Sequence, residues 1–259
     1  MDFIEIYSDE QIGAITLNDD KRRNALSFAL LEEFNEAVDE LAGQKVRTII
    51  IRANPGAKVW SAGLNIEELP ENGGDPLNYH HPLEILMRKI QKIPIPVIGM
   101  ISGSVWGGGC DLAFVCDILT GSPEASFAIT PAKLGVSYNA SGFIHFLNMV
   151  ELNIAKEMFF TGEPIYAEQA KNLGILNHLL PTEQLEEFTF NLARKICQNS
   201  PLSIAVAKEQ LNILGSARPL NPGIYERIEE LRSKAYHSED FKEGIKAFRE
   251  KRKPRFRGE

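Results

Sequence analysis

The sequence predicts an α/β protein whose last third is helical. Three observations carry this. Strand and helix signals alternate over the first 120 residues, helical periodicity alone fills the chain from about residue 150, and two of the buried-strand signals run into glycine-rich turns. With 259 residues, of which 44% are hydrophobic and 24% charged, the composition is that of an ordinary soluble globular protein, which excludes collagen-like, disordered and disulfide-scaffold classes. A chain of this length buries roughly 70–75% of its unfolded surface and needs no staples.

Taken in order, 3–7 and 13–17 read as short strands with Asp9-Glu10-Gln11 as a tight turn between them. Ser27 is a good N-cap for a helix over 28–41, where Leu30, Phe34, Ala37, Val38 and Leu41 recur at helical spacing. The Ile-rich run 48–52 has the pattern of a strand buried on both faces, and Asn54–Gly56 breaks it. A second helix pattern covers 82–91, Pro94 and Pro96 follow it, and 97–101 is another buried strand. Gly107–Gly109 leads into a helix signal near 111–116. Segments 153–160, 167–173, 183–199, 202–214, 222–236 and 239–252 then read as helices, punctuated by Gly162, Gly174, Pro181, Pro201 and Pro222. The expected division is an α/β core over 1–190 and a helical region over 191–259, with Gly73-Gly74-Asp75-Pro76 as the mobile loop.

The net charge of −7 excludes a global basic footprint for nucleic acid. Cys110, Cys116 and Cys197 form no C-x-x-C pair, which fits reduced thiols in a cytoplasmic protein. No basic-then-apolar leader and no membrane-length apolar run is present, so no membrane partner is expected. One local exception to the acidic balance is 242–257, where Lys242, Lys246, Arg249, Lys251, Arg252, Lys253, Arg255 and Arg257 are opposed only by Glu243 and Glu250. A solvated helix face, a nucleic-acid contact and a phosphate contact are the three readings of this stretch.

Two segments can carry chemistry. In Val59-Trp60-Ser61-Ala62-Gly63-Leu64-Asn65-Ile66, small residues after a strand let the backbone bend and let a ligand approach; an ordinary turn is the plainer reading. In Gly103-Ser104-Val105-Trp106-Gly107-Gly108-Gly109-Cys110-Asp111, glycines between a strand and a helix leave free N–H groups suited to phosphate or a developing oxyanion, or serve close helix–strand packing. Neither matches a P-loop or a dinucleotide fingerprint. The two turns lie about 45 residues apart, so each can offer one N–H to a single oxygen.

These segments, with Arg23-Asn24-Ala25-Leu26, Asp117, Leu134-Gly135, Phe160-Thr161-Gly162, Gly174 and Lys251-Arg252-Lys253-Pro254, make the chain resemble the crotonase (enoyl-CoA hydratase/isomerase) superfamily nearly end to end. The resemblance implies a crotonase/ClpP-like ββα spiral core, a C-terminal helical trimerisation region, a homotrimer or homohexamer, and an acyl-CoA thioester partner. No cofactor beyond the CoA of the substrate and no metal is implied. The backbone N–H groups of Leu64 and Gly108 would form the oxyanion hole. Arg23, Ala25, Leu26, Ala62, Gly63, Asn65, Ile66, Trp106, Gly107, Thr130 and Pro131 would line the acyl-CoA site, and Lys251 would approach the CoA phosphates.

Within the superfamily, hydratases use two glutamates for water and proton handling. One position is Asp111 here, and the window 127–135 contains Thr130-Pro131 and no carboxylate. Decarboxylation of an α-carboxyacyl thioester creates its own carbanion and needs an oxyanion hole and a proton donor, but no base. Thr130-Pro131 through Tyr138-Asn139, Glu68-Leu69-Pro70, Asp75-Pro76-Leu77-Asn78-Tyr79 and Ser238-Glu239-Asp240 resemble the superfamily's decarboxylases. That resemblance implies conversion of methylmalonyl-CoA to propionyl-CoA, with Tyr138 contacting the substrate carboxylate or donating the proton. Leu64-Asn65 stands where those decarboxylases carry a His-Asp pair. A hydratase or isomerase using Asp111, and a non-catalytic acyl-CoA-binding or RNA-binding relative, are the alternatives. His80-His81 are expected to be solvent-exposed, Cys110 a packing thiol, and Trp106 either a pocket wall or core.

Overall fold

The computed structural model describes residues 1–69, 75, 77–217 and 221–258. Gly73, Gly74 and Pro76 of the expected loop, and Pro70, lie outside the described residues. The chain opens with an antiparallel hairpin, β1 (Ile4–Asp9) and β2 (Ile12–Leu17), turned at Glu10, which takes φ 45°. Ser27 caps α1 (Phe28–Gly43) by accepting from the Leu30 N–H at 3.2 Å.

Three strand pairs then repeat one plan. In each, the first strand enters a large sheet and the second a small one: β3 (Thr48–Ala53) with β4 (Val59–Ser61), β5 (Val97–Ile101) with β6 (Ser104–Trp106), and β7 (Ile118–Gly121) with β8 (Ser126–Ala128). Helices close the first two units, namely α2 (Pro82–Lys92), which follows β4, and α3 (Gly108–Phe114), which follows β6. After β8 come α4 (Ala140–Met149), α5 (Leu152–Thr161), β9 (Ile165–Tyr166), α6 (Ala167–Asn172) and β10 (His178–Leu179). Four helices end the chain: α7 (Thr182–Cys197), α8 (Pro201–Ser216), α9 (Pro222–Tyr236) and α10 (Glu239–Arg249).

The large sheet runs β1-β2-β3-β5-β7-β10, parallel from β2 onward, and the small sheet runs β4-β6-β8-β9. Crossovers through helices permit this parallel order. One face of the large sheet meets α1 and α2 through Ile15, Ile49, Leu30, Phe34 and Leu86. The other face, carrying Ile12, Ala14, Ile50, Ile98 and Met100, is covered by Leu185, Ala193 and Cys197 of α7. Hence β3 reads as a continuous apolar run, since both of its faces are buried.

This layering bears on the expected division at residue 190, which falls inside α7. The helical region proper therefore starts at α8, because α7 is a layer of the α/β core. Several short elements went unread in the sequence. The strands β4, β6, β7 and β8 have four residues or fewer, and α4 carries Gly142 near its start. The helix expected near 111–116 begins earlier, at Gly108, and the last helix ends at Arg249 rather than 252. Among the described residues no helix is long and apolar enough to cross a membrane.

Lys208 ties α8 to the core. Its ammonium is buried, 2.8 Å from Asp117 Oδ2, and donates to the carbonyls of Ile90 and Ile95 at 2.8 and 2.9 Å. Breaking a buried pair leaves the partner charge uncompensated, at a cost of about 3 kcal/mol. Lys208→Met is therefore expected to lower the unfolding free energy by that amount, read as a lower urea midpoint at unchanged slope. A loss below 1 kcal/mol would mean that Asp117 is satisfied without it.

Candidate active site

Parallel pairing of β4 with β6 (Val59 opposite Ser104, Ser61 opposite Val105) sets the two glycine turns side by side. They then pack backbone on backbone. Gly63 has φ 80°, and a Cβ there would stand 2.5 Å from the Trp106 carbonyl and 3.1 Å from the Gly108 nitrogen. A Cβ on Gly109 would stand 2.9 Å from Ser61. Only glycine permits both approaches.

The first turn is strapped from outside. Leu26 N–H donates to the Gly63 carbonyl at 2.8 Å, and the Leu26 carbonyl accepts from Asn65 N–H at 3.4 Å. Ser61 Oγ donates to the Asn24 carbonyl at 2.8 Å and accepts from Gly63 N–H at 3.1 Å. In the second turn Gly107 takes φ 50° and donates to the Ala128 carbonyl at 2.9 Å, after which α3 begins. Its neighbours are bonded, yet neither Leu64 N–H nor Gly108 N–H has an acceptor among the described residues. A Cβ built on Gly108 would be 3.6 Å from the Leu64 nitrogen, so the two amides border one small space. That is the arrangement the two turns implied, and it suits an oxygen gaining negative charge.

Tyr138 and Asp111 stand beside this space. The Tyr138 hydroxyl lies 3.4 Å from the Gly107 carbonyl, and its ring sits among Phe143, Phe146 and Phe159. Burial, followed by the nearby Asp111 charge, pushes the phenol well above its ordinary pKa, so Tyr138 remains a neutral hydroxyl. Asp111 is fully buried on α3, one turn after Gly108. Its Oδ1 is 2.6 Å from His145 Nδ1, and its Oδ2 is buried with no hydrogen-bond partner among the described residues. The imidazole is buried too. Burial lowers its pKa, but the charge and hydrogen bond of Asp111 and the charge of Glu84 together outweigh this, and the net direction is up. A buried carboxyl, Glu84 of α2, is raised by its own burial and engaged by Asn139, by Ser141 at 3.3 Å and by Arg88 at 3.4 Å.

His145 was not singled out from the sequence, because α4 went unread. The signal was present: Asn139 caps the helix by accepting from Gly142 N–H at 2.8 Å, and Phe143, Phe146 and Leu147 follow at helical spacing.

The remaining wall comes from the end of the chain. Residues 131–134 form one 3₁₀ turn after Thr130, with Pro131 buried and Thr130 half-buried. Helix α10 lies directly on this turn: a Cβ on Gly244 would stand 2.1 Å from the Leu134 carbonyl, and one on Gly135 2.6 Å from the Asp240 carbonyl. Tyr236, Phe241 and Ile245 pack with Ile66, Leu69 and Val136, and the Tyr236 hydroxyl donates to the Ser137 carbonyl. Arg232 adds an ion pair with Asp75 at 2.7 Å.

The structure thus brings together Leu26, Ala62, Gly63, Leu64, Trp106, Gly107, Gly108, Asp111 and Tyr138 around the paired turns. It places other expected residues differently. Asn65 accepts from Glu67 N–H and caps a short turn, while Ile66 belongs to the α9–α10 cluster. Arg23 is exposed and contributes its carbonyl to Ala62 N–H at 2.9 Å; Ala25 is half-buried beside it. Trp106 is half-buried with its indole N–H on Ser104 Oγ at 2.9 Å, whereas Trp60 is the tryptophan in the core. Lys251 is exposed just past α10.

Two expectations change and one, for Cys110, holds. His81 is not a solvent-exposed partner of His80: its Nδ1 accepts from Leu83 N–H at 3.1 Å and caps α2, and burial lowers its pKa. The basic tail is partly internally paired, since Arg252 grips Glu243 and Glu250 at 2.6 Å. Backbone N–H groups of Arg255, Arg257 and Gly258 return to Glu243 and Asp240. Cys110 donates to the Val105 carbonyl at 3.2 Å, and burial raises its thiol pKa, consistent with a packing role. Among the described residues no group of three or more His, Cys, Asp or Glu side chains could hold a metal.

A layered ββα core with two unpaired amides from adjacent glycine turns is the architecture of the enoyl-CoA hydratase/isomerase family, and the chain belongs to it: the family model matches residues 8–259. The fold is the crotonase fold. Methylmalonyl-CoA decarboxylase of Escherichia coli (strain K12) is 41% identical over 99% of this chain and 98% of that protein. A structure of methylmalonyl-CoA decarboxylase complexed with 2S-carboxypropyl-CoA superposes with a TM-score of 0.98 at 41% identity, covering 100% of this chain and 99% of that one. A probable mitochondrial enoyl-CoA hydratase of Dictyostelium discoideum is 34% identical over 94% of this chain and 87% of that protein.

Gly244 tests the cover. A methyl group there must displace α10 from the 131–134 turn, and overpacking of this kind costs about 1–3 kcal/mol. Gly244→Ala is expected to raise KM for acyl-CoA at least fivefold while far-UV circular dichroism of the core is retained. An unchanged KM would show that α10 does not shape the pocket.

Proposed function

We propose that this chain decarboxylates an α-carboxyacyl-CoA, methylmalonyl-CoA to propionyl-CoA. The observation that carries the reading is the pairing of two unbonded amides, Leu64 and Gly108, with a site that has no free second carboxylate. Glu84 is engaged by its neighbours, and no acid occurs in the 127–135 window. The 41% identity to methylmalonyl-CoA decarboxylase over nearly the whole chain supports the same choice of acyl group.

In this reading the thioester carbonyl sits between the two N–H groups. Loss of carbon dioxide leaves the electron pair on Cα, delocalised onto the carbonyl oxygen. Each donor aimed at that oxygen contributes about 3 kcal/mol or more. Tyr138 stays neutral, so it donates to the departing carboxylate and orients it out of the thioester plane, where its bond overlaps the carbonyl π system. Ionising Tyr138 would add a second negative charge beside Asp111, which disfavours it as the acid. Thr130 and Pro131 wall the acyl end, and Arg23, Ala25 and Lys251 lie toward the CoA arm. No cofactor beyond the substrate's own CoA enters any step.

Oligomerisation belongs to the same proposal. Helix α8 exposes Leu202, Val206 and Ile213 along one side and buries only Lys208, an apolar face suited to a homotrimer or a pair of trimers. The helical region from α8 onward is proposed to supply that contact, in a cytoplasmic protein.

The test is incubation with methylmalonyl-CoA, malonyl-CoA and crotonyl-CoA, with products followed by mass. Propionyl-CoA is expected from the first, and Tyr138→Phe is expected to lower kcat ten- to a hundredfold with CoA affinity within twofold. Hydroxybutyryl-CoA from crotonyl-CoA, with no propionyl-CoA or acetyl-CoA, would overturn the assignment. For the CoA end, Lys251→Ala is expected to raise the dissociation constant several-fold and to weaken its dependence on salt. Identical salt curves would leave Lys251 a solvated residue.

A further inference from the structure

We propose that His145 is the proton reservoir for the enolate, recharging Asp111 from a cleft on the far side of α4. The inference rests on the enolate chemistry above and not on the identity of the acyl group. Decarboxylation creates a carbanion that needs one proton, and the neutral, high-pKa Tyr138 is a poor source. Position 64, one of the two amide donors, carries a leucine and offers no side-chain acid.

The geometry supplies a route. Asp111 presents two oxygens with different surroundings: Oδ1 is held by His145 Nδ1 at 2.6 Å, and Oδ2 is buried with no hydrogen-bond partner among the described residues. A buried carboxylate oxygen without a donor is costly unless it works on a ligand. His145 in turn lines a cleft of ≈ 620 Å³ that it shares with Gln91, Ser141, Leu211, Asn212 and Ser216, between α2, α4 and α8. His145 therefore borders both Asp111 and a cleft whose lining includes no residue of the paired turns.

The groups facing His145 favour its charged form. Asp111 approaches from α3 and Glu84 from α2, the latter paired with Arg88. Tyr138, preceding α4, is neutral, and α8 contributes only the uncharged Leu211, Asn212, Gly215 and Ser216. Together the two carboxyl groups overcome the burial of the imidazole and raise its pKa.

The transfer balances as follows. The Nδ1–H bond of the imidazolium breaks as Asp111 Oδ1 takes the proton, and a half-turn of the carboxyl group carries that O–H to the acyl side. Its O–H bond breaks as the enolate pair forms the new Cα–H bond, leaving carboxylate and neutral imidazole. The neutral ring keeps its Nε2–H, and a hydronium ion from solvent restores the Nδ1–H bond once the ring turns to the cleft, leaving water. Asp111 is the group that touches the reacting atom, and His145 is a positioning and charging residue behind it.

Microscopic reversibility gives a test that needs no decarboxylation. The same pair, with neutral imidazole, must remove the α-proton of propionyl-CoA, so deuterium from D₂O should enter that position. Wild-type exchange is expected well above the buffer rate and to rise with pH as His145 loses its proton. His145→Gln keeps a donor toward Asp111 but carries no titrating proton. It is expected to exchange at least tenfold more slowly and without that pH dependence, with the dissociation constant for propionyl-CoA within twofold. Asp111→Asn should lose as much, and the double variant no more. A smaller loss in His145→Gln, or wild-type exchange no faster than buffer, overturns the proposal. If the glutamine variant does not fold, His145→Ala with added imidazole decides: restored exchange supports the relay and unrestored exchange overturns it. His145-dependent exchange without methylmalonyl-CoA turnover would sink the acyl assignment and leave the relay standing.

Discussion

The close approach of two backbone turns is the constraint on which the rest of the molecule depends. Gly63 and Gly108 touch because β4 and β6 pair in parallel and because neither residue has a side chain to hold the turns apart. The hydrogen bonds of Leu26, Ser61, Asn24 and Ala128 fix the backbone on either side and leave Leu64 and Gly108 N–H without an acceptor among the described residues. Unpaired amides in a protein interior are expensive, so the fold holds them ready at its own cost. A side chain can be exchanged without altering such donors, which is why leucine is tolerated at position 64.

The ββα repeat explains how so small a feature is held. Each unit sends one strand to the large sheet, where it is buried on both faces, and one short strand to the small sheet. The large sheet supplies rigidity through Ile49, Ile50 and Ile51 of β3, all without exposure. The small sheet supplies only position. Its strands have three residues or fewer and would not stand alone, yet they set the register of the two turns.

Much of this was legible in the sequence. The buried strands 48–52 and 97–101 announced themselves by Ile and Val runs, and Ser27 marked its helix, because these signals are local. The paired turns were legible for the same reason: glycine has few uses beyond positive φ and close approach, and Gly63 serves both while Gly107 takes positive φ and Gly109 permits close approach. What was hidden is long-range or diluted. Short strands β4, β6 and β8 carry too few residues to show a period. Helix α4 contains Gly142, which lowers its helical signal, and with it went the Asp111–His145 pair, whose partners lie 34 residues apart. The role of α7 as a layer of the core depends on which sheet face it meets, and amphipathic spacing within the helix cannot report that.

The cover over the pocket carries a further meaning. Ile66 and Val136 are joined to Tyr236, Phe241 and Ile245 by a small cluster of their own, separate from the two larger cores. Its contacts span well over half the sequence, so its closure entropy is high and its apolar area small. Such a cluster opens at lower free energy than the sheet beneath it. The pocket is therefore an assembly with its own equilibrium, which can be undone and remade while the parallel sheet and the two waiting amides stay in place.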